Sequence, residues 1–275
     1  MPQAPRILND FSSLMQIVKD LRGPDGCPWD KEQTHESLTP FAIEEVYELV
    51  QAIENKDDTH TKEELGDVLF QVALHSQLAE ERAAFTIYEV LETLCSKLIR
   101  RHPHVFGDKK TASLDEVWKN WEQIKATEKK DKQIKTSTFD FPPSLPSLQR
   151  AYKIGLKSQK IGFDWKTAQE VFLKVQEELE ELKVEIDLHT KNQNRFDKME
   201  EEFGDLLFSL CQWARHLSIE PEQALRKANQ KFINRFDKVL ELCQSKQWNW
   251  ETLSDSQKEQ LWSEVKAIQN QKNKD

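Results

Sequence analysis

The chain has 275 residues, 37% of them hydrophobic and 32% charged, and its 39 Lys and Arg against 48 Asp and Glu give a formal charge of −9. A mean hydropathy of −0.74 and a pI near 5.4 describe a water-facing, acidic protein, which the length prior gives one or two domains, without the broad positive field that bulk nucleic-acid binding needs. No run approaches the roughly 18 apolar residues of a membrane span, MPQAPRILNDF lacks a signal-peptide apolar core, and the scattered Cys27, Cys95, Cys211 and Cys243 form no C-x-x-C pair, as expected in a reducing cytoplasm.

Glycine is scarce and apolar residues recur at i, i+3, i+4 and i+7, as in Ile43, Val46, Leu49, Val50 and Ile53 and again in Val171, Val175, Leu179, Leu182 and Ile186. That is the helical period, and it predicts an all-α fold. Helices are expected over 6–22, 37–55, 61–83, 86–101 and 113–130, then over 147–160, 167–189, 195–217, 221–244 and 254–270. GPDGCPWDKEQTH, after the first helix, reads as a loop, and its single Glu32-x-x-His35 is no di-iron motif, which needs two copies on inward-facing helices. His102-Pro-His104 reads as a helix-ending turn, and Pro221 suits a first helical turn, where its missing N–H is harmless. From Lys129 to Pro146 the chain turns polar and then proline-rich, and Pro142-Pro143 opposes a helix. The expected organisation is an N-terminal domain over 1–130, a linker over 131–146 and a C-terminal domain over 147–275.

The halves repeat. ELGDVLF from Glu64 returns as EFGDLLF from Glu202 at an offset of 138; Glu44-Glu45-x-x-Glu48 returns as Glu177-Glu178-x-x-Glu181 at 133; Lys97 and Arg101 return as Lys231 and Arg235 at 134. Three features in one order at nearly one offset indicate a duplicated domain.

Residues three or four apart share a helix face, so Glu178 and Glu181 project together, as do Glu202 and Asp205. Carboxylates gathered this way repel, and a divalent cation removes the conflict. Hard oxygen ligands suit Mg²⁺, with Mn²⁺ as a substitute, and Mg²⁺ commonly takes substrate phosphates as further ligands. A lone E-E-x-x-E is an ordinary solvated face in a chain with 48 carboxylates; its duplication beside E-x-G-D is what points to metal. Glycine inside a helix costs about 1 kcal/mol relative to alanine, so Gly66 and Gly204 read as sites of close helix–helix packing, of metal-site assembly, or of both. The i, i+4 pairs Lys97/Arg101 and Lys231/Arg235 either hold phosphate oxygens or complement a helix C-terminus. Trp165, in GFDW ahead of the second acidic helix, either stacks a nucleobase or fills the core.

The segments GCPWDKEQTHESL, AIEEVYELVQAI, EELGDVLFQVALHSQLAEE, KLIRRHPHVFGD, SLPSLQRAYKIGLKSQKIGFDW, EELEEL, EEFGDLLFSL and ANQKFINRF together resemble the MazG family of nucleoside triphosphate pyrophosphohydrolases, in its long two-domain form. The resemblance spans about residues 6–245 and leaves the last thirty, with Trp248, Trp250 and Trp262, unassigned. It implies tandem helical domains in which helix pairs from two chains build four-helix bundles, hence a homodimer. It also implies Mg²⁺-dependent hydrolysis of NTPs or dNTPs to NMP and pyrophosphate. Carried onto this chain, the metal ligands are Glu178, Glu181, Glu202 and Asp205, with Glu45, Glu48, Glu64 and Asp67 as N-terminal equivalents. The phosphate contacts fall on Lys231 and Arg235, with Lys97 and Arg101 as counterparts, and Glu177 is a candidate general base or outer residue. If one domain carries the activity, the C-terminal one is expected to, because its basic helix runs on to KFINRF whereas Pro103 cuts the other short. The rival readings are a regulatory or scaffold protein that binds NTP and Mg²⁺ without hydrolysis, and a plain helical interaction module.

Overall fold

The computed structural model describes residues 2–107, 113–131, 138–191 and 195–272, and contains no strand among them. The chain divides into two compact units, Met1–Ile134 and Lys135–Asp275.

In the first unit α1 (Phe11–Arg22) leads through the short α2 (Pro28–Glu32) into a long hairpin, α3 (His35–Asn55) and α4 (Asp58–Glu81), followed by α5 (Ile87–Arg101), α6 (Pro103–Phe106) and α7 (Leu114–Asp131). Local chemistry sets the boundaries. Thr34 and Ser37 form a reciprocal capping box at the start of α3, and Thr86 and Glu89 do the same for α5. Lys56, at φ 57°, takes the left-handed conformation that stops α3, and Asp57 then caps α4 through the His60 N–H. The hairpin is tied at one end: Val18, Leu38, Ala73 and Leu74 form a buried cluster with Leu14, Met15, Phe70 and Leu78 around it. Toward the hairpin turn the apolar side chains stay open, with Leu65 54% and Ile53 55% exposed.

In the second unit α8 (Ser147–Lys160) precedes the hairpin of α9 (Ala168–Thr190) and α10 (Phe196–His216), then α11 (Pro221–Ser245), a 3₁₀ turn at Trp250–Thr252 and α12 (Asp255–Lys272). Pro221 stands in the first turn of α11. The unassigned tail is a structural element: Val239, Cys243, Leu261 and Val265 form a second core, covered by Trp248, Trp250, Leu253 and Trp262.

A buried polar network joins α8, the GFDW loop and α10. Arg215 donates Nη1 to Asp164 Oδ2 at 2.9 Å and Nη2 to Oδ1 at 2.5 Å, and His216 Nε2 lies 3.1 Å from Oδ1. Arg215 Nε donates to Gln212 Oε1 at 3.0 Å, and Gln212 Nε2 donates to the Ala151 carbonyl at 2.9 Å. Gly155 is required here, because a Cβ would run into the Gln212 and Arg215 side chains. Gly162, at φ +81°, supplies the left-handed turn that brings Asp164 back over α10.

Several expectations change. The first helix begins at Phe11, not 6: Asp10 takes the N-cap position, and Ile7 and Leu8 before it are exposed. The loop after it contains α2, started by Pro28, so Glu32 ends one helix and His35 begins the next. His102-Pro-His104 does end α5, and Pro103 starts the further turn α6. Of the expected linker, 132–137 lie outside the described residues, and the chain from Phe141 to Pro146 forms turns without helix.

The Asp164–Arg215 pair sets a stability test. Asp164→Asn leaves a guanidinium 3% exposed without its counter-ion, a loss of about 3 kcal/mol readable by urea unfolding. Burial alone would raise the Asp164 carboxyl, but the bonds from Arg215 and His216 outweigh it and hold it below the ordinary aspartate range. Its contribution is therefore complete above that range and lost as pH falls through the lowered value, so the gap between the natural chain and the Asn variant closes in acid.

Candidate active site

Each hairpin gathers three carboxylates. Glu45 and Glu48, one turn apart on α3, meet Glu64 from α4, and Glu178 and Glu181 on α9 meet Glu202 from α10; within each set the ligand oxygens lie within 4.8 Å of one another. Asp67 and Asp205, one turn beyond Glu64 and Glu202, fall outside those sets but act on them electrostatically. Burial raises Glu45, and Asp67, Glu48 and Glu64 raise it further. Glu202 is raised by burial, then by Glu181, Asp205 and Glu178. Both hairpins hold negative charge that water alone stabilises poorly.

The most buried carboxylate of each set, Glu64 or Glu178, is 5% exposed. Each takes a basic partner four residues earlier on its own helix. His60 Nε2 lies 2.6 Å from Glu64 Oε1, and Lys174 Nζ lies 2.7 Å from Glu178 Oε1. Lys174 also reaches Glu177 Oε1 at 2.7 Å, and its bonds to Glu177 and Glu178 hold the ammonium well above the ordinary lysine range. Glu64 Oε2 is buried with no hydrogen-bond partner. Such an oxygen is costly and is the kind of donor a cation would satisfy. All the donors are hard carboxylate oxygens, which fit Mg²⁺ or Mn²⁺.

Glu177 lies outside the triad but beside it: its side chain is 56% exposed and shares Lys174 with Glu178, each at 2.7 Å. Lys231 is exposed on α11, while Arg235, one turn on, donates Nε to Gln269 Oε1 at 2.9 Å and lies 5.2 Å from the centre of the Trp262 ring. Lys97 and Arg101 occupy α5, where Arg101 binds Glu128 of α7 and lies 5.5 Å over Trp121. Among the described residues no ion pair joins these basic groups to the acidic triads of the same chain. Trp165 is half-buried and lines a cavity of about 330 Å³ with Phe163 and Phe208, whose polar side is Gln212 and Arg215. Gly66 and Gly204 meet nothing: a Cβ at either would enter open space, so the close helix approach they suggested does not occur within one chain.

His60, Lys174, Glu128, Gln269 and Trp262 did not emerge from the sequence as site residues. The first two carried a readable signal, a basic residue one turn before the buried glutamate.

The family model for the MazG nucleotide pyrophosphohydrolase domain matches the chain twice, over residues 33–106 and 166–240, and so takes in both acidic hairpins. This chain belongs to the MazG family. It is 47% identical over 257 residues to the nucleoside triphosphate pyrophosphohydrolase/pyrophosphatase MazG of Thermotoga maritima, an alignment spanning 94% of this chain and 96% of that protein. It is 40% identical over 260 residues to the nucleoside triphosphate pyrophosphohydrolase of Escherichia coli K12, across 94% of this chain and 98% of that one. The uncharacterized protein YabN of Bacillus subtilis is 41% identical over 264 residues, which cover 96% of this MazG-family chain and 53% of YabN. No helix among the described residues is long and apolar enough to cross a membrane.

The raised Glu202 gives a signed prediction for the metal-free protein. Stability tied to its bound proton is complete below the ordinary carboxylate range and lost as pH rises through the raised value. Glu202→Gln, which imitates the protonated form, is expected to melt higher than the natural chain in chelator at pH 7.5 and to match it near pH 4. Melting curves at the two pH values check this.

Proposed function

We propose that this protein is a nucleoside triphosphate pyrophosphohydrolase, releasing NMP and pyrophosphate from NTPs and dNTPs with the aid of Mg²⁺. The observation that carries the reading is the duplicated carboxylate triad, built the same way in each half of a MazG-family chain and containing, in Glu64, a buried oxygen with no partner. Glu178, Glu181 and Glu202, with Asp205 beside them, are the residues that would hold the ion in the second unit. Glu45, Glu48, Glu64 and Asp67 are their equivalents in the first. A divalent cation, when bound, supplies charge to neutralise the triphosphate and lowers the pKa of water.

The chain supplies the rest. Lys231 and Arg235 donate to phosphate oxygens and offset the charge that builds on pyrophosphate as it leaves. The cavity beside Trp165 receives the base against apolar walls, with the Gln212 and Arg215 edge polar. Glu177 takes the proton lost by the attacking water, which requires Lys174 to release it.

A homodimer completes the assembly in this reading. The hairpin of α9 and α10 leaves Phe203 54% and Leu207 42% exposed, and that of α3 and α4 leaves Leu65 54% and Leu69 41% exposed. Contiguous apolar surface on long helices marks an interaction face. The open space at Gly66 and Gly204 lets a second copy's helices come close without a Cβ between them.

Two experiments test this. Product analysis over a panel of NTPs and dNTPs is expected to give NMP and pyrophosphate, lost with chelator; NDP and phosphate, or tight binding without product, would refute it. In a chain whose first triad is disabled, Glu178→Gln is expected to lower kcat at least about 100-fold with the fold retained. For the assembly, light scattering should return twice the 32.3 kDa chain mass, and Phe203→Glu should shift the population toward monomer.

A further inference from the structure

We propose that Glu128 occupies, on the first unit's Arg101, the seat that a phosphate would take, so that this unit's basic helix is closed by its own carboxylate while the second unit's is open. The inference rests on the reading of Lys231 and Arg235 as the phosphate-binding pair.

The two arginines are built alike. Arg101 ends α5 and Arg235 lies on α11, in corresponding places of the two repeats. Each guanidinium lies over a tryptophan from a later helix of its own unit, Arg101 over Trp121 of α7 at 5.5 Å and Arg235 over Trp262 of α12 at 5.2 Å. Stacking orients the guanidinium plane and leaves its edge donors for acceptors.

What meets those donors differs. In the first unit Arg101 Nε and Nη2 lie 3.2 and 2.5 Å from Glu128 Oε2, with Nε also 3.3 Å from Oε1, and Arg100 Nη2 adds a contact to Oε1 at 2.6 Å. Two cations thus converge on one carboxylate, as guanidinium groups also converge on phosphate. The site is sheltered, the side chains of Arg101 and Glu128 being 18% and 15% exposed. Hydrogen bonds from Arg101 and then Arg100 hold the Glu128 carboxyl down at about 2, so it is anionic throughout the neutral range. In the second unit Arg235 Nε donates to Gln269 Oε1 at 2.9 Å. That partner is a neutral amide. Among the described residues no carboxylate forms an ion pair with Arg235. A polyphosphate approaching Arg235 need only accept hydrogen bonds, whereas one approaching Arg101 must displace an ion already seated there.

The test uses the full chain and magnesium pyrophosphate as the probe, followed by calorimetric titration. In a Lys231→Ala/Arg235→Ala background, which removes the second unit's seat, Glu128→Gln is expected to raise pyrophosphate affinity by about tenfold or more, the order of one charge-assisted contact. In the otherwise natural chain the reciprocal Gln269→Glu is expected to weaken pyrophosphate binding by a similar factor, with circular dichroism unchanged. Unaltered affinity in a folded Glu128→Gln protein would overturn the proposal. If Glu128→Gln fails to fold, Gln269→Glu decides: the expected weakening sustains the proposal and undiminished binding overturns it. Binding does not depend on turnover, so a chain that shows both shifts yet makes no NMP would sink the hydrolase reading and keep this one.

Discussion

Mutual repulsion among carboxylates is the constraint around which both units are arranged. Three glutamates brought within 4.8 Å of one another cost stability unless something positive stands among them. The folded chain offsets part of that cost locally: one helical turn before the most buried member, Lys174 sets an ammonium against Glu178 and the His60 imidazole contacts Glu64. It leaves the rest as raised carboxyls at Glu45 and Glu202 and an unpartnered oxygen at Glu64. Each hairpin therefore holds an unresolved charge imbalance at its centre, and a cation is the simplest species to resolve it. The rest of each unit fastens the hairpin away from that centre: α1 closes one end of the first, and the Asp164–Arg215 network anchors α10 to α8 in the second.

The same hairpins are short of cover. The small cluster around Leu38 and Leu74 is tight, but the apolar residues toward the acidic end of the first hairpin are about half exposed. Two helices alone cannot bury both sides of an apolar stripe. Charge imbalance and uncovered apolar surface thus occupy the same stretch of helix.

Much of this was legible in the sequence, for identifiable reasons. Long helices showed because their apolar residues recur with the helical period, and the triads showed because they occur twice in one order. The missed elements are short: α2 has 5 residues and α6 has 4, too few to display a period. The stripe of Ile43, Val46 and Ile53 was rightly apolar, yet it stands about half exposed in the single chain. Periodicity reports which face is apolar and is silent about what covers it. The partners of the basic helices were beyond reach for another reason. Glu128 meets Arg101 across 27 residues and Gln269 meets Arg235 across 34, and neither separation has a helical or strand rhythm to betray it. Glu177 was legible only as a neighbour of Glu178; that the two share Lys174 depends on side-chain placement that sequence adjacency does not report.

The seat of Arg235 on Trp262 has an entropic consequence. A long, flexible arginine free in water must surrender about 2 kcal/mol of rotamer freedom when it grips a ligand. Resting against the indole face, with one nitrogen already engaged by Gln269, this side chain has given up much of that freedom during folding. In the proposed function the α11–α12 core thereby turns part of the conformational cost of association into a cost of folding, so that a phosphate reaching Arg235 would meet a guanidinium already oriented.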